Sequence, residues 1–220
     1  VVARRLEERL AAVCEQIATS KYDIIALTEL WHPREREQVL AAGQKAGLRF
    51  HHTFRPGIGI PIWPKSSGTG ITVLSRYPIM SAFYSRYSPN GKPYKFHHAD
   101  YVASKGAGLL RIRTPVGEVD VYPTHLHACY AKSQGRGDWD EYKATRVAQG
   151  YQLARFVQLT RRNNLCILLG DLNSRPYHRV IDLLRYMAGM HDAFVTNGTP
   201  EDKDGATFGA YNNSWGPNRC

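Results

Sequence analysis

The sequence predicts an α/β or α+β protein, with helices covering a sheet. Three observations lead there. Segments with apolar residues every three or four positions alternate with short, nearly continuous apolar runs. Two of the apolar runs flank the tight turn at Pro115-Val116-Gly117, the signature of a hairpin. No segment repeats and no linker interrupts the chain, so residues 1–220 are expected to form a single domain.

The elements follow in order. Val2, Leu6, Leu10, Val13 and Ile17 recur at helical spacing and predict an amphipathic helix over about residues 2–19. Tyr22 to Leu27 is a short apolar run read as a buried strand. Pro33 opens a second helix, at a position where its missing N–H is tolerated, and Gly47 ends it. Residues 55–70 are turn-rich, and 70–79 read as a strand. Strands 107–115 and 118–126 form the hairpin, and 131–139 is a polar, Gly-rich loop. A long helix is expected over 140–161, with Ala144, Val147, Tyr151, Ala154 and Val157 on its buried face. The run CILLGDLN (166–173) is a strongly apolar strand with a polar end. A helix over 177–189 follows, and the rest reads as loop.

Composition narrows the function classes. The chain is 43% apolar and 22% charged, which excludes wholesale disorder. The net charge of +10 points to an anionic partner, either nucleic acid, a phosphorylated substrate or an acidic membrane surface. Six of those ten units fall in residues 51–110, which hold seven basic groups and one acid, Asp100. The four cysteines lack zinc-knuckle and CxxC spacings, and they are read as thiols of a reduced compartment, with Cys166 buried. No apolar run is long enough for a membrane span.

Three predicted strands end in residues that an apolar core rejects. Glu29 follows DIIALT. It is either the exposed exit from the sheet or a partly buried carboxylate that ligates a hard cation through oxygen. His125 and His127 close the second hairpin strand, where positions i and i+2 share a face. No third ligand is spaced to complete a zinc site, so a single histidine donating to phosphate oxygens is the better reading. Asp171 and Asn173 end CILL. A carboxylate that orients water, beside an amide that holds a phosphate oxygen, suits phosphoryl transfer. The same residues also fit a plain Asx turn ahead of Pro176.

Glu29 after an early strand, THL at 124–126 and GDLN at 170–173 form an ordered set that resembles the endonuclease/exonuclease/phosphatase superfamily. Within it, YSPNGKPYKFHHADYVASKGAGLL (87–110), THLHACY (124–130) and RVAQGYQLARFV (146–157) resemble neutral sphingomyelinases and the yeast-type inositol phosphosphingolipid phospholipases C. The resemblance implies a four-layer α/β/β/α sandwich of the DNase I-like type. It implies a Mg²⁺-dependent phospholipase C that cleaves sphingomyelin to ceramide and phosphocholine, or a related phosphosphingolipid. By resemblance Glu29 holds Mg²⁺, Asp171 and Asn173 position water and phosphate, and His125 stabilises charge on the phosphoryl group. Asp100 and Lys105 match an Asp-x4-Lys pair that switches between inactive and active arrangements. The family also carries an Asn on a first strand and a C-terminal Asp-His pair. Neither occurs here, so the chain is expected to be a piece of a longer enzyme, incomplete at both ends and inactive alone.

Ile60, Ile62 and Trp63 lie in a Gly/Pro-rich loop, with Lys65, Arg76, Arg86, Lys92 and Lys95 after it. The loop reads either as tucked in or as an insertion into an anionic membrane surface on the cytosolic face. Tyr84, Tyr87, Tyr94, Phe96 and Tyr101 interleave with those cations. Most of them read as core; a choline cage comes second and base stacking third. Two alternatives stand beside the sphingolipid phosphodiesterase: a DNase-like or repair endonuclease, with nucleic acid as partner, and an inactive lipid-binding remnant.

Overall fold

The computed structural model describes residues 5–55, 68–89, 103–129 and 140–197. The elements are α1 (Leu6–Thr19), β1 (Ile24–Leu27), α2 (Pro33–Lys45), β2 (Phe50–Thr53), β3 (Thr72–Ser75), β4 (Ile79–Arg86), β5 (Gly106–Thr114), β6 (Gly117–His125), α3 (Lys143–Thr160), β7 (Leu165–Asp171), α4 (Arg179–Ala188) and α5 (Ala193–Asn197). They build two sheets, one in the order β1-β3-β2 and one in the order β4-β5-β6-β7.

Strand alternation sorts the apolar residues into three cores, and so into four layers. Ile24 and Ala26 of β1, Val73 of β3, Leu110 and Ile112 of β5, Val121 of β6 and Ile167 and Leu169 of β7 meet between the sheets. The opposite faces of the first sheet, Ile25, Leu27 and Leu74, pack on Ile17 of α1 and Val39 and Ala42 of α2. The opposite faces of the second sheet, Leu109, Tyr122 and Leu168, pack on Leu153, Phe156 and Val157 of α3 and Val180 and Leu184 of α4. A strand covered on both faces needs apolar residues at every position. That is why DIIAL and CILL read as continuous runs rather than alternating ones.

Several boundaries differ from expectation. The strand expected over 70–79 is β3 followed by a turn, and only the first residue of β4 falls within it. In that turn the Ser75 hydroxyl accepts from the Tyr77 N–H and donates to its carbonyl. β2 falls in a stretch that the sequence left unassigned, and it is a strand because Phe50–Thr53 pairs with Ser75–Thr72. The buried face of α3 also differs. Ala144 and Tyr151 are exposed, whereas Arg146 and Gln149 are buried. The N-terminal turns of α3 face the polar exit of β6, so their inward side chains are polar. In α1 Val13 points outward, and Leu10, Cys14 and Ile17 form the packed face. Cys14 and Cys166 are free and Cys129 is disulfide-bonded, which departs from the expectation of thiols throughout. The loop of Ile60, Ile62 and Trp63, along with Asp100, lies outside the described residues.

At the far end of β6 from His125, Asp120 is fully buried. It accepts from the Arg162 N–H at 3.1 Å and from Asn164 Nδ2 at 3.0 Å, with Arg111 Nε 3.4 Å away. These contacts tie the start of β7 to the β5–β6 hairpin. Removing one partner of such a buried set leaves the others uncompensated. Asp120→Ala is therefore expected to lower the unfolding free energy by about 3–5 kcal/mol, read from the urea midpoint.

Candidate active site

The strand registers bring four of the expected residues together. In the antiparallel β5–β6 pair Ala107 faces Thr124, so Lys105, two residues earlier, comes opposite Leu126. In the parallel β6–β7 pair His125 faces Asp171. Gly170 makes that pairing possible. Its φ is +139°, and a Cβ there would overlap the Thr124 carbonyl oxygen. Glycine at this position thus lets β7 close onto β6 where Asp171 emerges.

The four side chains surround one peptide carbonyl. Lys105 Nζ donates to Leu126 O at 2.7 Å, and Asn173 Nδ2 donates to the same oxygen at 3.0 Å. Lys105 Nζ also lies 3.1 Å from His125 Nε2. An ammonium has no lone pair, so a charged Lys105 would donate to Nε2. Asp171 Oδ2 lies 3.8 Å from the same Nε2. Lys105 and His125 are buried at 1% exposure each, whereas the Asp171 side chain is 52% exposed. The constellation therefore opens outward on its carboxylate side.

The loop after β7 shows the two readings of GDLN to be compatible. Asp171 Oδ1 accepts from the Asn173 N–H at 2.8 Å, which is an Asx turn. Asn173 takes a left-handed conformation, φ +46°, so strand alternation does not carry it to the Asp171 face. The turn returns its amide to Leu126 instead. His127 also departs from the shared-face expectation. β6 ends at His125, and the buried His127 ring stacks on Tyr142 with centroids 4.0 Å apart.

Tyrosines buttress the cationic side. The Tyr84 hydroxyl donates to Ser104 O, and the Tyr87 hydroxyl lies 2.6 Å from Thr124 Oγ1. The Tyr87 N–H donates to the Lys105 carbonyl. Burial pushes both phenols well above their ordinary range, so both stay neutral. These two aromatics are structural, as expected for most of the set.

Glu29 is exposed, as an exit from the sheet would be, and is not the partly buried carboxylate of the other reading. It follows β1 in a left-handed conformation, φ +61°. The turn is held by the Leu30 N–H donating to Gly70 O, where Trp31 lies so close that any Cβ would meet its ring at 2.9 Å. Phe54, at the same end of the first sheet, packs over Gly108 and Tyr84 of the second. The Glu29 turn and the His125–Asp171 pair thus share one end of the sandwich. Among the described residues no three His, Cys, Asp or Glu side chains group closely enough to hold a metal. Sequence reasoning missed Gln149 and Arg146, which pack against the exit of β6. Polar residues at helical spacing in α3 were the available signal.

Residues 3–220 match the endonuclease/exonuclease/phosphatase family. The chain belongs to this family. Among family members, mouse sphingomyelin phosphodiesterase 2 is 33% identical over 211 residues, covering 94% of this chain and 46% of that protein. An inositol phosphosphingolipids phospholipase C of Schizosaccharomyces pombe is 26% identical over 199 residues, covering 89% of this chain and 43% of that protein. The chain therefore spans less than half the length of these relatives. The fold is that of beta toxin from Staphylococcus aureus, a structure with bound magnesium ions, at TM-score 0.62 and 17% identity over 87% of this chain and 68% of that one. The four layers expected from the motif set are thus the family fold.

Proposed function

We propose that the full-length protein is a Mg²⁺-dependent phosphodiesterase of the phospholipase C type. It hydrolyses sphingomyelin or a related phosphosphingolipid to ceramide and a phosphorylated head group, and residues 1–220 belong to its one catalytic domain. The observation that carries this reading is the convergence of Lys105, His125 and Asn173 on Leu126 O beside the open carboxylate of Asp171. The sphingolipid substrate follows the relatives that match 94% and 89% of this chain.

Each side chain has a task in that reaction. Asp171, exposed and fixed by its turn, orients the attacking water. Asn173 uses one amide hydrogen on Leu126 O and keeps a second for a phosphate oxygen. His125 and the ammonium of Lys105, both buried, stabilise the charge that develops on the phosphoryl oxygens. Water attacks phosphorus, the bond to the ceramide oxygen breaks, and that oxygen gains a proton. Asp100 is read as the alternative partner of Lys105, so that the lysine exchanges contacts between rest and turnover.

Glu29 fits a magnesium ligand. Its carboxylate is exposed, is held on a constrained turn and offers hard oxygen donors. Mg²⁺ commonly takes one or two carboxylates and keeps several waters, which matches a single acidic side chain here. The bound ion would supply Lewis acidity toward the phosphoryl oxygens. No described helix is long and apolar enough to cross a membrane. On this reading Ile60, Ile62 and Trp63 contact an anionic membrane surface at the cytosolic face.

The test is to supply the full-length protein with Mg²⁺ and either sphingomyelin micelles or plasmid DNA. Release of ceramide, abolished by EDTA and restored by Mg²⁺, is the expected result. Plasmid nicking without lipid hydrolysis would overturn the reading.

A further inference from the structure

The Leu126–His127 peptide is the hub of the site, because its carbonyl receives both Lys105 and Asn173. Its other face is held from α3. Gln149 is fully buried in α3, and its Oε1 accepts from the His127 N–H at 2.8 Å. Its Nε2 donates to Pro89 O at 2.7 Å. The two partners fix the amide orientation, since an N–H needs the oxygen and a carbonyl needs the nitrogen.

A trans peptide is a rigid plane in which the N–H and the C=O point in opposite directions. Holding the His127 N–H therefore aims the Leu126 carbonyl. We propose that Gln149 is a positioning residue, holding the Leu126–His127 peptide in the one orientation that lets Leu126 O bind Lys105 and Asn173 together. This rests on the phosphodiesterase reading for its kinetic consequence. Gln149 acts on the site through that peptide. The cradle continues along the same helix face. Tyr142 stacks on the His127 ring, and Arg146 Nη1 reaches Ala128 O at 3.4 Å. By bonding Pro89, Gln149 also joins the end of β4 to the end of β6. Residues 90–102, which carry Asp100, begin directly after Pro89.

The experiment uses the full-length protein and three variants, Gln149→Met, Gln149→Glu and Asn173→Ala, with Gln149→Met also made in the Asn173→Ala background. Gln149→Met keeps the volume and loses both hydrogen bonds. It is expected to lower kcat on sphingomyelin roughly tenfold to a hundredfold, the scale of a small misplacement, with KM little changed. Gln149→Glu keeps an acceptor for the His127 N–H. It is expected to unfold at a lower temperature than Gln149→Met yet to retain more activity. A purely structural role orders the two variants the same way in both measurements, because burying a carboxylate costs more than burying a thioether. In the double variant the losses are expected to fall short of the product of the single losses, because both act through Leu126 O. Multiplicative losses, or activity that follows stability, would overturn the inference. If the native protein turns over no sphingolipid, the function reading has failed separately. The same cycle is then read on the affinity for inorganic phosphate. Coupling there supports the positioning role, and independent effects or no phosphate binding overturn it.

Discussion

His125→Ala in the full-length protein is expected to lower kcat for sphingolipid hydrolysis by about 10²–10⁴-fold, with a smaller change in KM. Two losses combine. The imidazole that faces the developing phosphoryl charge is gone, and Lys105 Nζ loses the acceptor 3.1 Å away. The lysine, buried in the native protein, keeps its bond to Leu126 O, so its charge has less to organise it. His125→Gln separates the two effects. A glutamine can still accept from Lys105 but offers no titrating ring. Steady-state kinetics should place His125→Gln near His125→Ala if proton and charge handling dominate, and near the native rate if positioning of Lys105 dominates. Activity within threefold of native for both variants would remove His125 from the mechanism.

Gly170→Ala is expected to cost about 2–5 kcal/mol of stability, from a strained backbone plus a clash inside a close-packed pair. The φ of +139° is one that side chains disfavour, and the new methyl would run into the Thr124 carbonyl oxygen. Relief requires β7 to move away from β6 at the point where Asp171 faces His125. Gly117→Ala is the control. It also has a positive φ, +120°, but nothing lies within 4 Å of its added Cβ. Thermal unfolding should therefore rank Gly170→Ala well below Gly117→Ala, with a midpoint loss on the order of 5–15 °C for Gly170→Ala. Equal midpoints would mean that the close β6–β7 approach contributes little. Activity should fall more steeply than stability for Gly170→Ala alone, because the displaced strand carries the site.

Much of this was legible in the sequence for physical reasons. Runs such as DIIAL and CILL announce strands because both faces are covered. The Pro115-Val116-Gly117 turn announces the hairpin because Gly117 supplies the positive φ. Asp171, Asn173 and His125 stand out as polar residues ending apolar strands. What escaped reading depends on partners distant in the chain. β2 is a strand only because β3 lies beside it. The exposure of Glu29 follows from a turn held by Gly70, forty residues later. Gln149 and Arg146 look like the solvent face of α3 until the exit of β6 is placed against them. Apolar periodicity reports burial in oil-like surroundings, and it is silent where the buried neighbours are peptide groups.

The parallel β6–β7 pair has a consequence for how the protein is made. Lys105 and His125 come together through a hairpin with a two-residue connection, which can close within microseconds. Asp171 and Asn173 reach them only after some forty residues, including all of α3, have been laid across the sheet. Non-local pairing of that kind is slow, because the chain entropy is lost before the contacts form. The hairpin that carries Lys105 and His125 is thus expected to form before the β6–β7 pairing that brings Asp171. Pulse-labelling hydrogen exchange is expected to protect the β5–β6 amides before those that pair β6 with β7.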